Sequence, residues 1–282
     1  MRSLILILAL LVITPAALLA QQGIEAACTT PNDTACIDWE KGVAYAIGIG
    51  APPPGGGAAS NPMARRAAKI DGARNLLELI KGVSLNSETN LQNAMVQSDT
   101  VTVNITGVLR SLREVGKPKY FSDRTIQVKV SANLREIIPP ELLYENTGGP
   151  PRLLQAPGSV PAGSSVNPSQ SYTGLIVDAR GTGVLPAMSP KIFDPEGREV
   201  YGSAYVSREW AVSQGVVGYV KTLDAARGTD RVKGSPLVVK ALEAKGANMA
   251  DLVISKADAD SIRSIAQRQN FLSEGRVMIV LD

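Results

Sequence analysis

Apolar residues recur at spacings of three and four through Asn61 to Val83, NPMARRAAKIDGARNLLELIKGV, the strongest helical pattern in the chain. Met63, Ala67, Ile70, Ala73, Leu77 and Ile80 form the stripe expected to face a core. Asn61 suits the N-cap, Pro62 the first turn and Gly82 the stop. Ahead of this helix, Val43, Tyr45, Ile47 and Ile49 alternate with small residues and predict a strand within Asp38 to Gly50. Behind it, a short strand is expected near Val83 to Leu85 and an amphipathic helix over Thr89 to Ser98. Thr100 to Leu109 and Thr125 to Leu134 both alternate apolar with polar positions. Each is expected to be a strand with one buried face, the two joined by a long basic tip over Arg110 to Arg124.

The periodicity stops at Pro139 to Ser171, where proline, glycine and serine dominate and no core can form. Beyond this linker, strands are expected at Tyr172 to Ala179, Lys191 to Asp194, Arg198 to Tyr201, Val216 to Lys221, Leu237 to Ala244, Asp251 to Ile254 and Arg276 to Leu281. Pro195-Glu196-Gly197 turns the second and third of them into a hairpin. A short helix is expected over Ser207 to Ser213, and Ser255 caps another from Lys256 to about Gln269. The pattern predicts the α+β class: two small domains, 38–138 and 172–282, each a mainly antiparallel sheet with helices on one face.

Composition adds compartment and exclusions. Met1 to Ala20 has the charged start, apolar centre and small-residue end of a secretory signal, with an apolar run too short to span a bilayer. An exported protein, soluble or peripherally attached, is therefore expected. In such a compartment Cys28 and Cys36 read as one disulfide stapling residues 21–37. The rival reading is lipidation of Cys28, against which Glu25 stands where a lipobox calls for leucine. A net charge of +3 is too balanced for a nucleic-acid partner. The absence of histidine removes histidine triads, histidine zinc sites and histidine bases.

Motifs for catalysis are weak. The loop Ala51 to Ser60 is glycine-rich but lacks phosphate-loop spacing, and Arg180-Gly181-Thr182-Gly183 lacks the third glycine of a dinucleotide turn. Asp258 and Asp260 suit a helix first turn, while Asp178, Asp194 and Glu196 suit strand ends and turns. No enzyme activity, catalytic residue, cofactor or metal is expected. One departure from the rules is electrostatic. Arg65, Arg66 and Lys69 crowd a helix start, where the dipole disfavours cations, and no acid lies three or four residues away. Either the fold brings carboxylates to them or an anionic partner does, which makes them the candidate interaction face.

Three blocks in order, AIGIGAPPP (Ala46 to Pro54), NPMARRAAKIDGARNLLELIKGVSLNSET (Asn61 to Thr89) and VTVNITGVLRS (Val101 to Ser111), resemble the small bacterial outer-membrane lipoprotein family that includes the flagellar protein FlgP and is related to the N-terminal domain of FlgT. The resemblance covers about Trp39 to Leu134. It implies an α+β building block at the outer membrane, in some members within flagellar rings, and no catalytic residues. The expected function is a non-enzymatic structural or assembly component, with self-association or outer-membrane or flagellar proteins as partners, and peripheral membrane attachment compatible with it. The alternative is a periplasmic binding module for a small molecule or cell-wall fragment, whose mark would be a concave polar site between the domains.

Overall fold

The computed structural model describes residues 34–55, 60–110, 112–143 and 170–282; the expected signal, Cys28 and most of the linker lie outside them. Strand β1 (Ala35–Asp38) runs antiparallel to β2 (Val43–Gly50), and helix α1 (Ser60–Lys81) lies across β2. The contact is backbone against backbone. A Cβ on Gly48 would sit 2.0 Å from the Ala68 carbonyl oxygen and 2.2 Å from the Gly72 nitrogen, and one on Gly50 would sit 2.0 Å from the Ala64 oxygen. Only the smallest residues fit so close an approach. The buried face of α1 is accordingly Ser60, Ala64, Ala68, Gly72, Leu76 and Ile80, a strict four-residue repeat.

This corrects the expected stripe. Ile80 belongs to the core, but Met63 and Ile70 are 58% and 49% exposed. A row of larger side chains would hold the helix off the sheet, so the row of small ones faces inward. Two polar residues of α1 complete the edge of β2. β1 pairs with β2 only from Val43 to Ala46, with Ile47 N–H reaching the Thr34 carbonyl. Past that point the Ile49 N–H donates to Asp71 Oδ2 at 2.9 Å, and Asn75 Nδ2 donates to the Ile47 carbonyl at 2.7 Å.

Two helices follow, α2 (Leu91–Gln97) and α3 (Asp99–Arg110). The second replaces the strand expected over Thr100 to Leu109. Val101 and Ile105 are buried one helical turn apart, while Val103 is 68% exposed. The run satisfies both periods, and the need to cover the core decides between them. Local bonds help: Thr102 Oγ1 donates to the Met95 carbonyl at 3.0 Å, and Thr106 Oγ1 to the Thr102 carbonyl at 2.8 Å. The expected basic tip is instead two short strands, β3 (Arg113–Glu114) and β4 (Lys119–Tyr120), both antiparallel to β5 (Ile126–Asn133). The first sheet is thus antiparallel throughout, in the order β1-β2-β5-β3, with β4 also on β5. The short α4 (Leu134–Ile137) follows β5, capped by the Asn133 side chain.

The second sheet contains β6 (Leu175–Asp178), β7 (Ile192–Phe193), β8 (Glu199–Tyr201), β9 (Gly218–Val220), β10 (Leu237–Lys245), β11 (Asp251–Ile254) and β12 (Val277–Val280). Helices α5 (Arg208–Gln214), α6 (Leu223–Gly228) and α7 (Lys256–Ala266) accompany it. The order is β8-β7-β11-β10-β6-β12-β9. The run β10-β6-β12-β9 is parallel, as is β7 with β11, while β10 with β11 and β7 with β8 are antiparallel. The sheet is therefore mixed rather than mainly antiparallel, and its centre is covered on both faces. Leu175, Val177, Val277 and Ile279 share one core with Ile262 and Ile265 of α7; Ile176, Met278 and Val280 share another with Ala226 of α6. Continuous apolar runs such as Leu175-Ile176-Val177 are the composition of strands buried on both sides. The protein is α+β in class.

The acids read as strand-end and turn residues hold local structure. Asp194 is buried and accepts the Arg198 N–H at 2.9 Å and the Arg263 Nη2 at 2.9 Å, tying the β7–β8 hairpin to α7. Burial pushes its carboxyl up, but these donors and the Arg198 guanidinium outweigh burial and hold it below the usual range. Asp258 and Ser255 cap α7 reciprocally, with Asp258 N–H on Ser255 Oγ at 3.0 Å and Ser255 Oγ on Asp258 Oδ2 at 2.7 Å.

Two glycine substitutions separate close approach from mere glycine. Gly48→Ala is expected to lose about 3 kcal/mol of stability or more by denaturant unfolding, because the added methyl meets backbone. Gly107→Ala, in α3 with nothing within 4 Å of the added carbon, is expected to gain about 0.5–1 kcal/mol in the same assay.

Candidate functional site

The two sheets meet at a seam made by the segment that leaves α1. Residues Ser84 to Asn90 form a small loop closed by an antiparallel bridge and by Leu85 N–H on the Thr89 carbonyl at 2.8 Å. Asn86 Oδ1 shapes it, accepting the N–H groups of Glu88 and Thr89 at 2.9 and 2.8 Å. The outer side of the loop pairs with the second domain. Met188 N–H donates to the Ser84 carbonyl at 3.0 Å, Ser189 N–H to Leu85 at 2.7 Å and Asn248 N–H to Ser87 at 2.8 Å. Asn248 Nδ2 adds a bond to the Asn86 carbonyl at 3.0 Å. Gly246, at φ +90°, lets the chain pass Ser87, whose Cβ would lie 2.3 Å from a Cβ there.

A second contact lies at the β1–β2 turn. Trp39 packs against both main cores and meets Tyr219 edge-on, with ring centroids 5.7 Å apart. The Tyr219 hydroxyl donates to the Ala187 carbonyl at 2.7 Å and accepts the Ala187 N–H at 3.0 Å. Burial pushes its ionisation well above the ordinary value. Arg135 of α4 crosses the seam, its Nη1 donating to the Ser213 carbonyl at 2.9 Å. Between these contacts lies a cleft of about 270 Å³, walled by Trp39, Tyr219, Met278, Gly218, Arg135 and Arg231.

Of the residues singled out by sequence, Arg65, Arg66 and Lys69 come together along a shallow groove of about 400 Å³, with Glu114 and Tyr120 opposite. The fold brings a carboxylate to one of them. Arg65 Nε and Nη2 donate to Glu114 Oε2 at 2.9 and 2.6 Å. Arg66 and Lys69 form no ion pair among the described residues. Beside them the exposed Met63 and Ile70 put apolar surface on the same outer side of α1, and Tyr120 is 63% exposed. Cys36 on β1 is disulfide-bonded; its expected partner Cys28 lies outside the described residues. Asp178, Asp194 and Asp260 each face an arginine, at 2.8 Å from Arg180, 2.9 Å from Arg263 and 3.1 Å from Arg263 respectively.

The cleft was not legible in sequence. Its residues lie up to 239 positions apart, from Trp39 to Met278, and none stands in a motif. Trp39 is the one hint, as one of two tryptophans in a chain poor in aromatics.

The fold defines a two-domain α+β protein whose parts are joined through a short paired loop. Residues 174–282, the second sheet and its helices, match a family model described as Treponema pallidum Tp0624, second domain. The matched segment is under half of the chain and includes none of the stretch Trp39 to Leu134 that carries the outer-membrane lipoprotein resemblance. No match was found among curated proteins. No helix of the described residues is long and apolar enough to cross a membrane.

The seam carries a testable electrostatic cost. Asp251 is 4% exposed and accepts the Lys191 N–H at 2.8 Å. Burial pushes its carboxyl above the ordinary value of 3.8, and the Ser87 hydroxyl and Lys191 only partly oppose this. A carboxyl whose folded value is raised is ionised at a cost when the pH is above that value, and the cost vanishes below the unfolded value. Asp251→Asn is therefore expected to raise Tm at neutral pH, with the advantage shrinking as pH falls toward 3.8. A thermal melt series against pH on both proteins checks it.

Proposed function

We propose that the protein is a non-enzymatic, exported assembly component working at the boundary of periplasm and outer membrane, and that the outer face of α1 is its contact with an acidic partner surface. The observation that carries this reading is the combination on one helix face of exposed Met63 and Ile70 with Arg66 and Lys69, which have no ion pair among the described residues. Exposed apolar side chains beside unpaired cations suit a contact with a protein bearing carboxylates. The partner is a second copy of this chain or a protein of the outer membrane. The flagellar ring is one setting that the family resemblance allows. The α1 groove also has what a recognition face needs in rigidity, because α1 is fixed to β2 along most of its length.

The reading predicts a salt-sensitive assembly. Light scattering after size exclusion on the mature chain is expected to give a discrete oligomer in modest salt that dissociates in high salt. Arg66→Glu with Lys69→Glu is expected to abolish it without lowering Tm, since both side chains are solvent-facing. An oligomer unchanged by that double variant would exclude the α1 face.

A further inference from the structure

Arg231 brings a guanidinium to the cleft with part of its hydrogen-bonding capacity unused. Nη1 donates to the carbonyls of Gly275 at 2.6 Å and Gly215 at 3.2 Å, and Nη2 donates to that of Gln214. A guanidinium has five N–H donors. The Nε–H and one Nη2–H therefore have no acceptor among the described residues. No carboxylate among the described residues pairs with Arg231, and its immediate partners are neutral carbonyls. Burial lowers its ionisation to about 10, with Tyr201 opposing and Arg135 adding to the effect, so it is charged at neutral pH. Charges so far removed from water are ordinarily paired.

Arg231, Gly218 and Met278 all line the cleft. A Cβ on Gly218 would lie 3.2 Å from Arg231 Nε and 2.6 Å from Met278 Sδ, so any side chain there would press on the Nε side of the guanidinium. Arg135 adds a second guanidinium from the first domain; only its Nη1 and backbone N–H are engaged by the bonds to Ser213 and Asn133. The Trp39 indole N–H has no acceptor among the described residues, and Trp39 and Met278 supply an apolar wall. Two cations beside an aromatic and a thioether do not suit a bare inorganic ion, which would leave the apolar wall wet.

We propose that the seam cleft binds a small organic carboxylate, held side-on by Nε–H and Nη2–H of Arg231 and steered by Arg135, with its apolar body between Trp39 and Met278. The side-on fork matches a carboxylate, and the same geometry joins Arg180 to Asp178 elsewhere in this chain, Nε donating to Oδ1 and Nη2 to Oδ2, both at 2.8 Å. A volume of about 270 Å³ limits the ligand to amino-acid size. Both walls come from different domains, so occupancy would also brace the seam. The site is separate from the α1 face and does not depend on its role.

The test uses the full mature chain carrying Trp210→Phe, which leaves Trp39 as the one fluorescent indole. Probes are benzoate and N-acetylleucine, their neutral amides benzamide and N-acetylleucinamide, and phenyl phosphate. Saturable change in Trp39 emission is expected with both carboxylates, with the amides weaker by about tenfold or more and phenyl phosphate also weaker. Arg135→Gln is expected to weaken carboxylate binding by about tenfold, and Gly218→Ala to abolish it, in proteins whose circular dichroism matches the parent. Because Arg231→Lys surrenders three carbonyl bonds and can fail to fold, those two variants carry the test. No saturable response to either carboxylate, equal binding of the amides, tighter binding of phenyl phosphate, or full affinity in folded Gly218→Ala would each overturn the assignment.

Discussion

The arrangement of the two domains depends on one strip of backbone, residues 84–87, whose carbonyls are taken by N–H groups of Met188, Ser189 and Asn248. Backbone groups so paired are shielded from water and cannot be released without leaving donors and acceptors unsatisfied. The strip is short, but it is held from behind. Leu85 and Val83 are buried in the first core, so the loop cannot swing away without exposing them. Trp39 and Arg135 fasten the other side of the cleft. Their separation from the loop gives the seam width, and resistance to twisting comes from width.

The strip in turn inherits its position from α1. The helix is fixed against β2 at Gly48, Gly50, Ala64, Ala68 and Gly72, where backbone meets backbone, and Asp71 and Asn75 bond the strand edge directly. A helix so seated has little freedom to slide or roll, and its last turn delivers Val83 and Ser84 to a set place. The same packing explains which residues α1 leaves on its outer face. Small residues must point inward, so Met63 and Ile70 are left outward beside Arg66 and Lys69. The surface proposed for assembly is thus a by-product of the closest contact in the first domain.

Much of this order can be read in the sequence. Helix α1, strands β2 and β5, the hairpin around Pro195-Glu196-Gly197 and the Ser255 cap follow from period and local chemistry, which act over a few residues. The failures have a common cause. Thr100 to Leu109 supports both a helical and an extended period, and burial of Val101 with Ile105 against a core made elsewhere selects the helix. Apolar size is the wrong guide to the inner face of α1, because the glycines of β2, some 20 residues away, reward small size. The cations Arg65, Arg66 and Lys69 were visible as an anomaly, and Glu114 resolves it for Arg65 alone. The cleft could not be seen, because Arg231 acquires its meaning only when Gln214, Gly215 and Gly275 supply carbonyls and Gly218 stays bare.

Residual dipolar couplings of the backbone amides, measured in one weakly aligning medium, address the seam most directly. If the paired strip holds the domains as one body, couplings from 34–143 and from 170–282 fit a single alignment tensor of one magnitude and orientation. Two tensors of different magnitude would mean that the domains reorient independently, and the cleft between them would then have no fixed shape.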